Sequence, residues 1–172
     1  IDIDKEATEQ ARLNAEQSIF RNIEVANLSF QDLAATSQEQ FDLIVTNPPY
    51  FTDSLKSQNQ TRTVARHNEF LSFEDLLNGV KKMLHEKGKF YLILPTKEAG
   101  IFREMAKQKG LYLSKLLRVR TRADSETEKR HLMLFEFKQT EFSESTLVIE
   151  TEQPLKYTKE YIELTKEYYL NF

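Results

Sequence analysis

The chain has 172 residues, 40% of them hydrophobic and 30% charged, with a formal net charge of −3 at pH 7 and no cysteine. That length and apolar content fit a single globular domain over residues 1–172, and the slight acidity excludes a general nucleic-acid binder, so any RNA contact has to come from a local patch. The lack of thiols excludes disulfides and agrees with a reducing cytoplasm, scattered histidines give no metal-ligand spacing, and no apolar run approaches the roughly 20 residues of a membrane helix.

The chain opens Ile1-Asp2-Ile3-Asp4. An apolar-acidic alternation of this kind reads as the end of a strand. Asp4 is placed to cap a helix over residues 5–17, where Ala7, Ala11 and Ala15 recur at helical spacing. An acidic residue at the end of the second strand is where nucleotide-binding α/β folds hold ribose hydroxyls, which singles out Asp2. Residues 23–26 read as a short strand, followed by a loop containing Ser29 and Phe30.

Residues 41–45 form an apolar strand that runs into Asn47-Pro48-Pro49-Tyr50. Two prolines cannot donate backbone hydrogen bonds, and Pro48 pushes Asn47 out of the helical region. The strand therefore stops at Thr46, and a stiff turn presents an amide, a carbonyl and a ring at its carboxyl end. An exocyclic amine suits that arrangement. The Asn47 side-chain oxygen and the Pro48 carbonyl can each accept one N–H, which orients the nitrogen lone pair, while Tyr50 offers a stacking surface. A sulfonium methyl is already activated, so its transfer needs mainly proximity and orientation.

Residues 51–68 are polar and lack apolar periodicity, which suggests a lid on the substrate side carrying Arg62, Arg66 and His67 toward phosphates. Ser72-Phe73-Glu74-Asp75 opens a helix whose apolar face is Phe73, Leu76, Leu77, Val80, Met83 and Leu84, with Gly88 as its stop. Residues 89–94 read as a strand buried on both faces. A further helix starts at Pro95-Thr96 and closes at Gly110. Residues 111–120 and 131–137 read as an antiparallel hairpin around a polar loop. Arg118, Arg120 and Arg130 make that region the most basic, and they are the further candidates for RNA contact. Residues 146–150 form a last strand, and residues 158–168 a final helix rich in tyrosine.

Asn47-Pro48-Pro49-Tyr50 after an apolar strand resembles motif IV of the amino-group methyltransferases that use S-adenosylmethionine. With the acidic strand end at Asp2, Ala65-Arg66-His67, Leu94-Pro95, Arg130-His131 and Tyr168-Tyr169-Leu170, the chain resembles the bacterial tRNA1(Val) adenine-N6 methyltransferase family over nearly its whole length. The resemblance implies a Rossmann-like class I α/β sheet, mostly parallel with an antiparallel last hairpin. It implies S-adenosylmethionine as cofactor, with Asp2, Ser29, Phe30 and Asn47 holding it, and a cytoplasmic tRNA methylated at adenosine N6 beside the anticodon. Rival readings are guanine N2 of rRNA, a release-factor glutamine, and a non-catalytic RNA-binding fragment. The family's opening strand and Gly-rich loop have no counterpart in this sequence, and Ser29 stands where the family often has an acid. The sheet is therefore expected to be incomplete at its N-terminal side, to need an upstream segment or a strand from a second chain, and not to bind the cofactor as it stands.

Overall fold

A computed structural model of the chain describes residues 1–48 and 71–169. Pro49, Tyr50, Arg62, Arg66, His67, the expected lid and Leu170 lie outside the described residues.

Helix α1, Lys5–Gln17, starts as its sequence dictates: the Asp4 carboxylate accepts the Ala7 N–H at 2.9 Å. Its alanine stripe does not become a packed face, since Ala7 and Ala11 are exposed and Thr8 is the buried residue. The short strand expected at 23–26 does not form. A single parallel bridge links Asp2 to Asn27, and the Asp2 N–H donates to the Ala26 carbonyl at 3.2 Å.

Residues 28–33 differ more. Ser29 is the N-cap of a helix, α2, Phe30–Thr36, where the sequence suggested a loop. Strand β1, Phe41–Thr46, follows. Helix α3, Phe73–Met83, begins at Ser72 and buries Leu76, Leu77, Gly79, Val80 and Met83. It ends five residues before Gly88, because Leu84 already takes an extended conformation and opens β2, Leu84–Pro95. From Phe90 to Leu94 that strand alternates buried and more exposed residues, with Tyr91 37% exposed. It is thus covered on one face, not on both as its apolar run suggested.

Helix α4, Thr96–Gln108, stops where expected: Gly110 takes φ 79°, and the Leu111 N–H donates to the Ala106 carbonyl at 2.9 Å. Strands β3, Tyr112–Arg122, and β4, Glu128–Glu136, form the expected antiparallel hairpin. Strand β5, Ser143–Glu150, then pairs parallel to β3, and helix α5, Lys159–Thr165, packs on it. The sheet order is β1-β2-β4-β3-β5, parallel at β1–β2 and antiparallel at β2–β4 and β4–β3. The carboxyl ends of β1, β2, β3 and β5 and the start of β4 consequently share one rim.

One face of this sheet carries the core. Phe90, Leu92, Leu94, Met133 and Phe135 meet Leu76, Leu77 and Val80 of α3 and Phe102 of α4. The Phe102 ring lies edge-on to Phe73 at 5.1 Å and to Phe135 at 5.7 Å. Truncating so central an aromatic typically costs about 3–5 kcal/mol, so α4 and the sheet stand or fall together. The core anchors β2, and β2 in turn fixes β1 through the register Thr46↔Leu92.

Candidate active site

An open cavity of about 880 Å³ lies at the carboxyl end of β1. Asp2, Ser29, Phe30, Asn47 and Pro48 all line it, with Leu28, Leu33 and Val45 as apolar wall. Five positions singled out in the sequence are thereby brought together from three segments of the chain.

Each is held by identifiable contacts. Asn27, which the sequence reading missed, donates its side-chain N–H to the carbonyls of Asp2 and Ile3 at 3.0 and 3.1 Å and so sets the backbone of the acidic turn. The Asp2 carboxylate accepts the Asp4 N–H at 2.9 Å, which leaves its remaining lone pairs for hydroxyls. No local sequence pattern announces Asn27, because its partners are 24 and 25 residues away. Ser29 has a different task from the one expected. Its hydroxyl accepts the Asp32 N–H at 3.0 Å and donates to the Asp32 carboxylate at 2.7 Å, so it is engaged as a helix cap. Phe30 packs against the core cluster and reaches the wall of the cavity. A Cβ at Gly79 would stand 2.9 Å from Phe30 Cζ and 3.0 Å from Ala34 Cβ, so the glycine is what allows α2 to lie this close to α3. Lys82 secures the same contact by donating to the carbonyls of Ala34 and Ala35. Asn47 is exposed and Pro48 is buried, so the proline anchors the turn while the amide faces outward.

The basic residues lie elsewhere. Arg118 pairs with Glu128 at 3.1 Å and Glu144 at 2.9 Å. Arg120 donates to the carbonyls of Ser125 and Ala123 at 2.6 and 3.0 Å, which braces the hairpin loop from inside. Arg130 is exposed at the start of β4. None of the three lines the cavity. His131, which is buried, presents Nε2 to Glu128 at 2.6 Å. This contact and the Arg118 guanidinium hold the Glu128 carboxyl below the usual carboxylate range.

One carboxylate, one exposed amide residue and apolar walls thus share this cavity. Among the described residues no group of His, Asp or Glu is arranged to hold a metal ion.

A methyltransferase-domain family model matches residues 1–139. The tRNA1(Val) (adenine(37)-N6)-methyltransferase of Phocaeicola vulgatus is 42% identical over 173 aligned residues, covering 99% of this chain and 72% of that protein. Its counterpart in Pseudoalteromonas translucida is 39% identical over 99% of this chain and 72% of its own length. A predicted O-methyltransferase from Agrobacterium tumefaciens superimposes with a TM-score of 0.61 at 17% identity, over 95% of this chain and 74% of that one, a likeness of fold.

Proposed function

The chain belongs to the family of bacterial tRNA1(Val) adenine-N6 methyltransferases, and from that premise we propose that it methylates N6 of adenosine 37 in tRNA1(Val), in the cytoplasm, with S-adenosylmethionine as donor. The observation that supports this reading most is the convergence of Asp2, Phe30 and Asn47 on one cavity at the carboxyl end of β1. The donor supplies an electrophilic sulfonium methyl when bound. Asp2 would hold it by accepting hydrogen bonds from its ribose hydroxyls, and Leu28, Phe30 and Leu33 would pack against its adenine. Asn47 accepts one N6–H of the target base through its side-chain oxygen, and the Pro48 carbonyl accepts the other. That pair of acceptors would orient the amine lone pair for transfer, and removing the orientation would remove most of the rate advantage. The stacking role of Tyr50 rests on the sequence motif.

The test pairs a substrate screen with one substitution. Purified tRNA, rRNA and release factor are each incubated with labelled cofactor and the intact protein, and label is expected in tRNA. Label in rRNA or release factor alone would overturn the substrate. Asn47→Ala is expected to abolish transfer while leaving the fold intact. Retention of more than about a tenth of the wild-type kcat, a loss below roughly 1.4 kcal/mol, would remove Asn47 from the catalytic role.

A further inference from the structure

Asn27 does not line the cavity, yet its side chain is bonded to the backbone of the carboxylate residue that does. The amide donates to the Asp2 carbonyl at 3.0 Å and to the Ile3 carbonyl at 3.1 Å. An amide nitrogen carries two hydrogens, so these acceptors use its donor capacity in full. The reversed orientation would set the side-chain oxygen against two carbonyl oxygens. The same residue forms the parallel bridge with Asp2, beside the bond from the Asp2 N–H to the Ala26 carbonyl at 3.2 Å. The bridge stands outside any strand, so these hydrogen bonds fix one segment against the other without help from a ladder.

Both segments face the cavity. On one side, an oxygen of the Asp2 carboxylate accepts the Asp4 N–H at 2.9 Å, and Asp4 in turn caps α1 through the Ala7 N–H. On the other, Leu28 follows Asn27 directly and lines the cavity with Ser29 and Phe30, while Ser29 caps α2. Asn27 therefore stands at the junction of the acidic turn and the apolar wall, and it sets where the carboxylate lies relative to that wall.

A ribose presents two adjacent hydroxyls at a fixed distance from its base. A carboxylate reads such a diol only when held at the matching place, because hydrogen bonds weaken steeply with misalignment. We propose that Asn27 is a positioning residue for ribose recognition. Its clamp holds the Asp2 carboxylate at the spacing from the wall of Leu28 and Phe30 that a 2′,3′-diol requires, so discrimination between an intact and a deoxygenated ribose depends on a residue that touches neither. This rests on the cofactor reading of the cavity given above. Aspartate, nearly the same in shape, does not serve at position 27, because it lacks the donors and sets a carboxylate against two carbonyl oxygens.

Adenosine and 2′,3′-dideoxyadenosine are titrated by NMR into the intact protein and into N27A, N27D and D2N. Adenosine is the probe because its ribose and base are the parts that Asp2, Leu28 and Phe30 would face. The wild type is expected to prefer adenosine by about tenfold or more, the usual worth of hydrogen bonds to a charged group. That ratio should fall toward one in N27A and N27D, as it does in D2N. Asn27 is exposed, so both variants are expected to fold, and thermal melting checks it. A merely structural loss would weaken both ligands alike and leave the ratio at its wild-type value. That result in folded N27A and N27D, with D2N still lowering the ratio, overturns the proposal alone. No binding of adenosine by the wild type, or a ratio that is near one or unmoved by D2N, removes the Asp2 contact from the functional reading and the proposal with it.

Discussion

Glu128 shows how much a single side chain can organise away from the cavity. Its backbone carbonyl receives Thr96, and its carboxylate receives Arg118 and His131. Because its folded pKa is lowered, its contribution is present above the ordinary carboxylate value and is lost as pH falls through the lowered one. Glu128→Gln is therefore expected to cost about 1–2 kcal/mol at pH 7, the modest figure reflecting partial solvent access. In thermal melts the gap between variant and wild type should narrow as pH falls below the ordinary carboxylate value, and close once the folded-state carboxyl is itself protonated. A gap that stays constant from pH 7 to pH 3 would mean the charge contributes nothing. The basic character of this hairpin was legible in the sequence, but the destination of each cation was not. Arg118 and Arg120 are turned inward by Glu144 and by the carbonyl of Ser125, partners that charge counting along a chain does not reveal.

At the level of elements, the sequence held a signal for α2 that its loop-like surroundings hid. Ser29-Phe30-Gln31-Asp32-Leu33 repeats the pattern of Ser72-Phe73-Glu74-Asp75-Leu76. Both serines cap a helix, and both donate to the Asp carboxylate three residues on, at 2.7 and 2.6 Å. The second was readable because a long apolar face follows it. The first opens a helix of only seven residues, too short for periodicity to speak. Its stability comes from docking on α3, which Gly79 permits. Gly79→Ala raises helix propensity by about 1 kcal/mol, but the added methyl meets Phe30 and Ala34, and overpacking costs about 1–3 kcal/mol. The net expectation is a lower melting temperature, because the displaced Phe30 ring is part of the packing between the two helices. Thermal melting of the variant checks this, and a higher melting temperature would show that the contact is loose. Strand 23–26 failed for the complementary reason: β propensity was present, but a strand needs a ladder, and among the described residues this segment finds only the Asp2–Asn27 bridge.

For the molecule as a whole, one face of the sheet is covered by α3 and α4 and the other is sparsely covered at β1. Leu43 and Val45 point to the same side two residues apart, 55% and 68% exposed, with Tyr91 and Leu132 each 37% exposed as well. Among the described residues β1 pairs only with β2, and it does not pair with the segment around Asp2. The apolar run at 41–45 correctly announced a strand, but periodicity cannot say whether a strand lies in the middle of a sheet or at its edge. That depends on what sits beside it. An apolar edge with open backbone donors and acceptors is a template for another strand, and natural edges are usually protected by charge. The 172-residue chain is therefore expected to self-associate as its concentration rises, with β1 as the point of contact. Val45→Lys places a charge on that edge without touching Ile44, which faces the core. Light scattering across a concentration series should show association in the wild type and a marked reduction in Val45→Lys, with far-UV circular dichroism unchanged. Equal association in both would place the contact elsewhere, for example on the exposed Ile19 and Phe20 after α1.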